Sequence, residues 1–234
     1  NLMKIIQLSI TGFYPLKYIE IGSVFSSISF NPIEKIKFNL GFRTTYQFYK
    51  LLRIEGSLAY GLKDNKLKYN LNSTFSLNHK NVLIFPKKSI SLIYINDLFI
   101  FGQSDLNSLK SNVLFSFERT KNDFWIYNKL IKLEYNQEFK NHFSYKVGLT
   151  NSIIIPLSSL HFNTKNYNNI LEDSPNINST DALIELKFSP KEKFYQGPNT
   201  RYRLKSYAPV FTIQCTYNLI NNINSNMFKV IWSD

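Results

Sequence analysis

Three histidines, one cysteine and a few carboxylates are the residues with which this chain could do chemistry. His79 and His142 fall in predicted turns, and His161 in or beside a long loop. None has a Cys, Asp or second His at metal-ligand spacing, so no metal or cofactor is expected. His142 with a serine at a strand rim is the one pairing that could support hydrolysis. A solvated turn histidine is the plainer reading, because no supporting constellation surrounds it. Cys215 lies among apolar neighbours on a predicted strand, where it reads as a small hydrophobe, buried or lipid-facing. As the single cysteine it cannot form a disulfide within the chain. Glu55, Glu134, Glu138 and Glu185 lie on polar strand faces beside lysines and arginines, where a charged constriction or an acid–base pair is one reading and salt bridges that offset a basic lumen the plainer one. There is no P-loop, dinucleotide fingerprint or nucleophile elbow. The expectation is a protein without catalytic residues, not an enzyme.

One loop has a distinctive composition: Tyr195, Gln196, Gly197, Pro198, Asn199, Thr200, Arg201 and Tyr202. Gly197-Pro198 forces a turn. The surrounding segment, 190–209, is expected to be ordered as a plug or partner loop. Exposed aromatics lose hydrophobic stabilisation, so two of Phe194, Tyr195, Tyr202 and Tyr207 should be buried. Arg201 or Arg203 should meet an inward carboxylate, with Glu55, Glu134 and Glu185 available.

The elements that must position these residues follow a period of two. In 35–48, Ile36, Phe38, Leu40, Phe42, Tyr46 and Phe48 share one face, opposite Lys35, Lys37, Asn39, Arg43 and Gln47. Alternate side chains of a strand point to opposite faces, whereas a helix would mix the two sets. Residues 52–62 and 66–77 repeat the pattern, with turns at 63–65 and 78–81 between and after them. Further strands are predicted at 89–95, 113–119, 130–139, 143–153, 181–189, 210–219 and 227–233. Residues 18–30 also read as extended, as does 4–14. Residues 156–180 and 190–209 read as long connections.

The best strands run about ten to fourteen residues, where soluble strands have about five or six. Crossing a bilayer at barrel tilt takes roughly nine to eleven. No run of 18 apolar residues exists for a membrane helix. Long flat strands with apolar faces aggregate unless closed or covered. Aromatics make up 16% of the chain and gather near predicted strand ends, as in an interfacial girdle. The net charge of +12 has two readings. One is a basic surface or lumen that attracts anions, nucleic acid or acidic lipid. The other is the codon bias of an AT-rich genome, which would also explain the abundant Asn, Ile, Lys, Phe and Tyr. No contiguous basic block indicates nucleic-acid binding.

Four segments resemble a particular group: 22–34 (GSVFSSISFNPIE), 40–48 (LGFRTTYQF), 56–69 (GSLAYGLKDNKLKY) and 192–210 (EKFYQGPNTRYRLKSYAPV). They are similar, in order, to the barrel region of a Bacteroidetes-type family of uncharacterised outer-membrane β-barrel proteins. Members often carry an N-terminal carboxypeptidase-regulatory-like domain, which is absent from this sequence. Lys35 and Asn70 stand where the family tends to have glycine. The resemblance implies an outer-membrane location and a β-barrel, and no reaction.

The expected fold is therefore all-β: an antiparallel up-and-down transmembrane β-barrel, an incomplete C-terminal fragment of about ten strands, with residues 1–234 as one partial barrel region. The expected role is structural, transport or assembly in a bacterial outer membrane. The partners would be the lipid bilayer and other outer-membrane proteins, with no nucleic acid. Two alternatives stand beside it: a soluble β-barrel binding an apolar or anionic ligand, and a membrane-embedded hydrolase.

Overall fold

In a computed structural model of the chain, the alternating segments pair into one antiparallel ladder. The structure describes residues 2–101, 124–157, 162–165, 171–197, 199–204, 208–219 and 227–233. The predicted strand at 113–119 lies outside the described residues, as do Pro198, Tyr207 and His161.

The main strands are β1 (Phe13–Pro15), β2 (Ile19–Gly22), β3 (Ile28–Asn31), β4 (Lys35–Thr44), β5 (Leu52–Gly61), β6 (Leu67–Ser76), β7 (Lys88–Ile100), β8 (Trp125–Glu138) and β9 (Phe143–Pro156). A short pair, β10 (Phe162–Lys165) and β11 (Leu171–Ser174), precedes β12 (Ile177–Phe188). A second short pair, β13 (Phe194–Gln196) and β14 (Arg201–Arg203), precedes β15 (Val210–Asn218) and β16 (Met227–Ser233). The sheet has twelve strands: an eleven-strand path in sequence order from β1 to β16, plus β3 beside β4. β2 and β3 lie along the same edge of β4, at Gly41–Thr44 and Lys35–Phe38. They are two halves of the extended segment expected at 18–30, broken by a 3-10 turn at Val24–Ser26. The described pairings leave β1 and β16 at opposite ends of the ladder, so they form an open antiparallel sheet and not a closed barrel.

Three expectations need correction. Residues 4–14 are not extended: Leu2–Thr11 is an α-helix. Leu2, Ile5, Ile6 and Ile10 follow helical spacing. Gly12 (φ 73°) ends the helix, its N–H donating to the Leu8 carbonyl at 2.8 Å. Nor is 156–180 a plain loop, since β9 and β12 reach into it and β10–β11 forms a ribbon there. The connection 190–209 likewise contains the β13–β14 hairpin. β7 and β8 run further than their alternation suggested, because Asn96 pairs with Lys129 and Asp97 with Asn128, continuing the ladder through polar residues.

The tight turns use left-handed backbone at Asn65 (φ 51°), His79 (φ 57°) and His142 (φ 67°). Asn and His are enriched in that region. Lys35 adopts φ 57°, at a position where the resemblance expects glycine. On β5, Gly56 leaves room for the Phe42 ring: a Cβ there would lie 2.8 Å from it.

The two faces of the sheet have opposite character, and the apolar one points outward. Leu40 is 63% exposed and Leu58 53%. Leu71, Leu92, Leu133, Leu149, Ile184 and Ile213 continue the exposed set on successive strands. Polar and charged groups fill the other face: Glu20, Lys68, Ser76, Ser89, Ser152 and Asn218 are buried. A small apolar patch interrupts it where Ile95 of β7 pairs with Leu130 of β8.

That polar face is concave. Lys37 of β4 donates to Asp97 of β7 at 2.6 Å, although β5 and β6 lie between their strands. Such a contact holds the two Cα atoms within about 13 Å. Three steps across a flat sheet would span about 14 Å before any offset along the strands. The sheet must curl for these side chains to meet.

Candidate functional site

The concave face is a set of matched charges. Arg43 pairs with Glu20, Arg53 with Glu55 at 2.6 Å, Lys132 with Glu134 at 2.6 Å and Lys146 with Glu185 at 3.2 Å. Nearer the β5–β6 turn, Lys68 bridges Glu34 and Asp64, the latter at 2.6 Å. The Tyr127 hydroxyl donates to Asp64 at 2.6 Å. Glu34 and Lys68 are each 1% exposed. Gly61 keeps this cluster tight, since a Cβ there would lie 3.0 Å from both Glu34 Cβ and Lys68 Nζ. Burial tends to raise the Asp64 carboxyl. Hydrogen bonds from Lys68 and Tyr127, with the Lys68 charge, outweigh it and hold Asp64 below its ordinary value. A buried charge is tolerated only with such partners. The face is polar without being basic, so the chain's positive excess lies elsewhere.

The β13–β14 hairpin docks at the opposite end of this face. Its register pairs Phe194 with Arg203, Tyr195 with Tyr202 and Gln196 with Arg201. Directly paired residues share a face of a ribbon, so Phe194, Gln196, Arg201 and Arg203 lie together, and Tyr195 and Tyr202 lie on the other side. Arg201 donates to Glu138 of β8 at 3.0 Å, its guanidinium carbon 3.9 Å from the centre of the Phe194 ring. Arg203 pairs with Glu192 at 3.0 Å, and Lys187 reaches the same carboxylate at 3.0 Å. Burial would raise Glu192. Its hydrogen bonds from Ser189 and Lys187, with the Lys187 and Arg203 charges, prevail and lower it.

Asn199 ties the hairpin to the far side. Its side-chain amide donates to Glu20 of β2 at 3.1 Å, and its side-chain oxygen accepts from the Tyr46 N–H at 3.0 Å. Its carbonyl accepts from Arg53 of β5 at 3.0 Å. Residues 199–201 thus connect β2, β5 and β8.

Of the loop residues singled out by sequence, Asn199 and Arg201 carry these contacts. Gly197 N–H closes the turn onto the Thr200 carbonyl at 2.8 Å. An inward carboxylate does receive an arginine, but it is Glu138. Glu55, Glu134 and Glu185 are already held by Arg53, Lys132 and Lys146. Tyr195 (58% exposed) and Tyr202 (46% exposed) are not the buried pair, because the ribbon turns them away from the docked side, and Tyr207 lies outside the described residues. Phe194 is half-buried.

Beneath the hairpin lies a cavity of about 230 Å³, lined by Phe85, Phe139, Phe143 and Phe194 with Glu138, His142, Ser144 and Glu192. Ser189 reaches His142 through the histidine backbone, donating to its carbonyl at 3.4 Å, and not through the imidazole. Among the described residues, no group of His, Cys, Asp or Glu could hold a metal ion. Cys215 is exposed on the outward face of β15.

These features define an all-β domain whose curled, mostly antiparallel sheet is polar on its concave side and apolar on its convex side. The chain belongs to the family of unknown function DUF5686, its residues 10–231 matching that family's C-terminal domain. No curated protein and no solved structure matches it.

Proposed function

We propose that this domain forms the wall of a transmembrane β-barrel in a bacterial outer membrane, with a structural, transport or assembly role and no catalysis of its own. The observation that carries the reading is the inverted polarity of the sheet. Fully burying one Leu, Ile or Phe is worth about 1.5–3 kcal/mol. Here more than twenty such side chains cover the convex face from β2 to β15, far beyond the few hundred Å² of apolar patch that a soluble monomer exposes. Buried ion pairs on the concave face are the arrangement of a wet or braced lumen. β7, β8, β9 and β12 have 13, 14, 14 and 12 residues, enough to cross a bilayer at barrel tilt. Exposed Tyr46, Phe48 and Tyr49 at one end, and Tyr60, Phe101 and Phe124 at the other, stand where a barrel carries its aromatic girdles. The resemblance to Bacteroidetes-type outer-membrane barrels supports the same location.

In this reading the ladder closes with further strands between β1 and β16, and the β13–β14 hairpin plugs one mouth. Fractionation of the full-length protein tests the location. It is expected in carbonate-resistant outer membranes, with heat-modifiable migration and dependence on detergent. A monodisperse, detergent-free protein in the soluble fraction would contradict the proposal. Conductance in planar bilayers then separates roles: a pore indicates transport, silence a structural or assembly role.

A further inference from the structure

The ladder sorts the connections between strands into two ends, and charge divides between them very unevenly. At the end that holds the β13–β14 hairpin, the connections are 16–18, 45–51, 77–87, 139–142 and 189–209. Their described residues contain nine Lys or Arg and one carboxylate, Glu192. At the other end, the described residues of the connections are 32–34, 62–66, 101, 124, 157, 162–165, 171–176 and 219, and they contain three Lys or Arg against four Asp or Glu. The described residues of the first set account for +8 of the net charge of +12. Codon bias would enrich lysine at both ends alike and does not explain the division.

Arg201 and Arg203 of the basic end are taken up by Glu138 and Glu192. The lysines mostly are not. Lys17, Lys50, Lys80, Lys140, Lys191 and Lys193 are exposed, and none forms an ion pair among the described residues. Their spacing follows the rim. Lys17, Lys50, Lys80 and Lys140 each sit in a different connection, two strands apart, or about 10 Å along the circumference. Exposed aromatics accompany them, Tyr18 beside Lys17 and Phe48 and Tyr49 beside Lys50.

We infer that this end is a basic collar that binds the phosphate-bearing headgroups of an anionic lipid leaflet and so sets the orientation of the domain in the membrane. The inference rests on the membrane-barrel reading. A protein partner would require its charges in one patch, whereas a headgroup layer meets the whole rim, as these lysines do. Lysine suits the task as a mobile point charge on an apolar stem, able to reach a phosphate from the edge of the hydrocarbon. The Tyr and Phe beside the lysines fill the same interfacial layer.

The test is refolding into unilamellar vesicles of phosphatidylcholine alone and of phosphatidylcholine with about a third phosphatidylglycerol. Insertion is read by heat-modifiable migration and protease protection. The variant Lys50→Gln, Lys80→Gln, Lys140→Gln alters the basic end. Lys35→Gln, Lys63→Gln, Lys129→Gln removes the same charge from exposed lysines at or near the other end. Wild type should insert about tenfold faster into the anionic vesicles, from the attraction of several lysines to the surface. The basic-end variant should lose most of that gain and the control variant should keep it. Equal insertion into both vesicles, or equal loss in the two variants, would overturn the collar. Failure to insert into either vesicle would instead sink the barrel reading and the collar with it. Should the basic-end variant not fold, a salt series on the wild type decides. The gain must fade as the screening length shrinks to about 3 Å near 1 M salt, and a gain that persists there overturns the inference.

Discussion

Leu40→Arg is expected to destabilise the membrane-inserted protein by about 2–4 kcal/mol, the range for a cation placed on the lipid face of a barrel near the bilayer midplane. Leu40 stands at the centre of β4, 63% exposed and paired with the equally outward Leu58. The prediction is sharp because the alternative expects almost nothing. In a soluble protein a substitution at so exposed a site falls within about 0.5 kcal/mol of neutral. Denaturant unfolding from vesicles measures the difference. Depth adds a second check. The same change at Leu67, in the first position of β6 and 58% exposed, should cost about 0–1 kcal/mol, because charge near the interface is tolerated. Equal effects at the two positions would contradict a bilayer around the convex face.

Lys68→Met should cost about 3–5 kcal/mol, the price of leaving buried carboxylates without their cation. Lys68 and Glu34 are almost wholly shielded from solvent, and Lys68 is the group that joins Glu34 to Asp64. The effect belongs to the unpaired charges and not to the lysine itself. Combining Lys68→Met with Glu34→Gln and Asp64→Asn should therefore recover much of the loss, a non-additivity expected of residues in one network. Guanidinium unfolding of the wild type and the two variants in detergent would show it. If the triple variant is no more stable than Lys68→Met, the cluster is not an electrostatic unit.

Much of this architecture was legible from period-two patterning alone. The segments 52–62 and 66–77 became β5 and β6 with the expected faces, 35–44 of the segment 35–48 became β4 with its last residues in the 45–51 connection, and 227–233 became β16. Alternation reports which side chains share an environment. It cannot report which environment each face meets, and that came from exposure in three dimensions. The helix at Leu2–Thr11 was missed because a short apolar stretch satisfies either period, and the informative residue, Gly12, lies just beyond it. The Gly-Pro turn of the hairpin was visible between its aromatics. Its docking was not, since the choice of Glu138 for Arg201 depends on Glu55, Glu134 and Glu185 being held by cations on their own or neighbouring strands. Asn199 was singled out only as a member of the loop, because its three contacts on β2, β5 and the 45–51 connection exist only once the sheet has curled. The asymmetry of charge between the two ends was equally hidden until the ladder sorted the connections.

Cys215 offers the most direct measurement of the central claim, that the convex face meets lipid. It is the single cysteine and lies exposed near the middle of β15, on the same side as Phe211, Ile213 and Tyr217. The full-length protein, in which any further thiol has been replaced by serine, is labelled at Cys215 with a small fluorophore and reconstituted in bilayers. Phospholipids brominated along their acyl chains should quench the label strongly. A charged, water-soluble thiol reagent should fail to modify the unlabelled thiol until detergent or denaturant is added. A label that brominated lipid leaves untouched, on a thiol that the aqueous reagent modifies at once, would contradict the account.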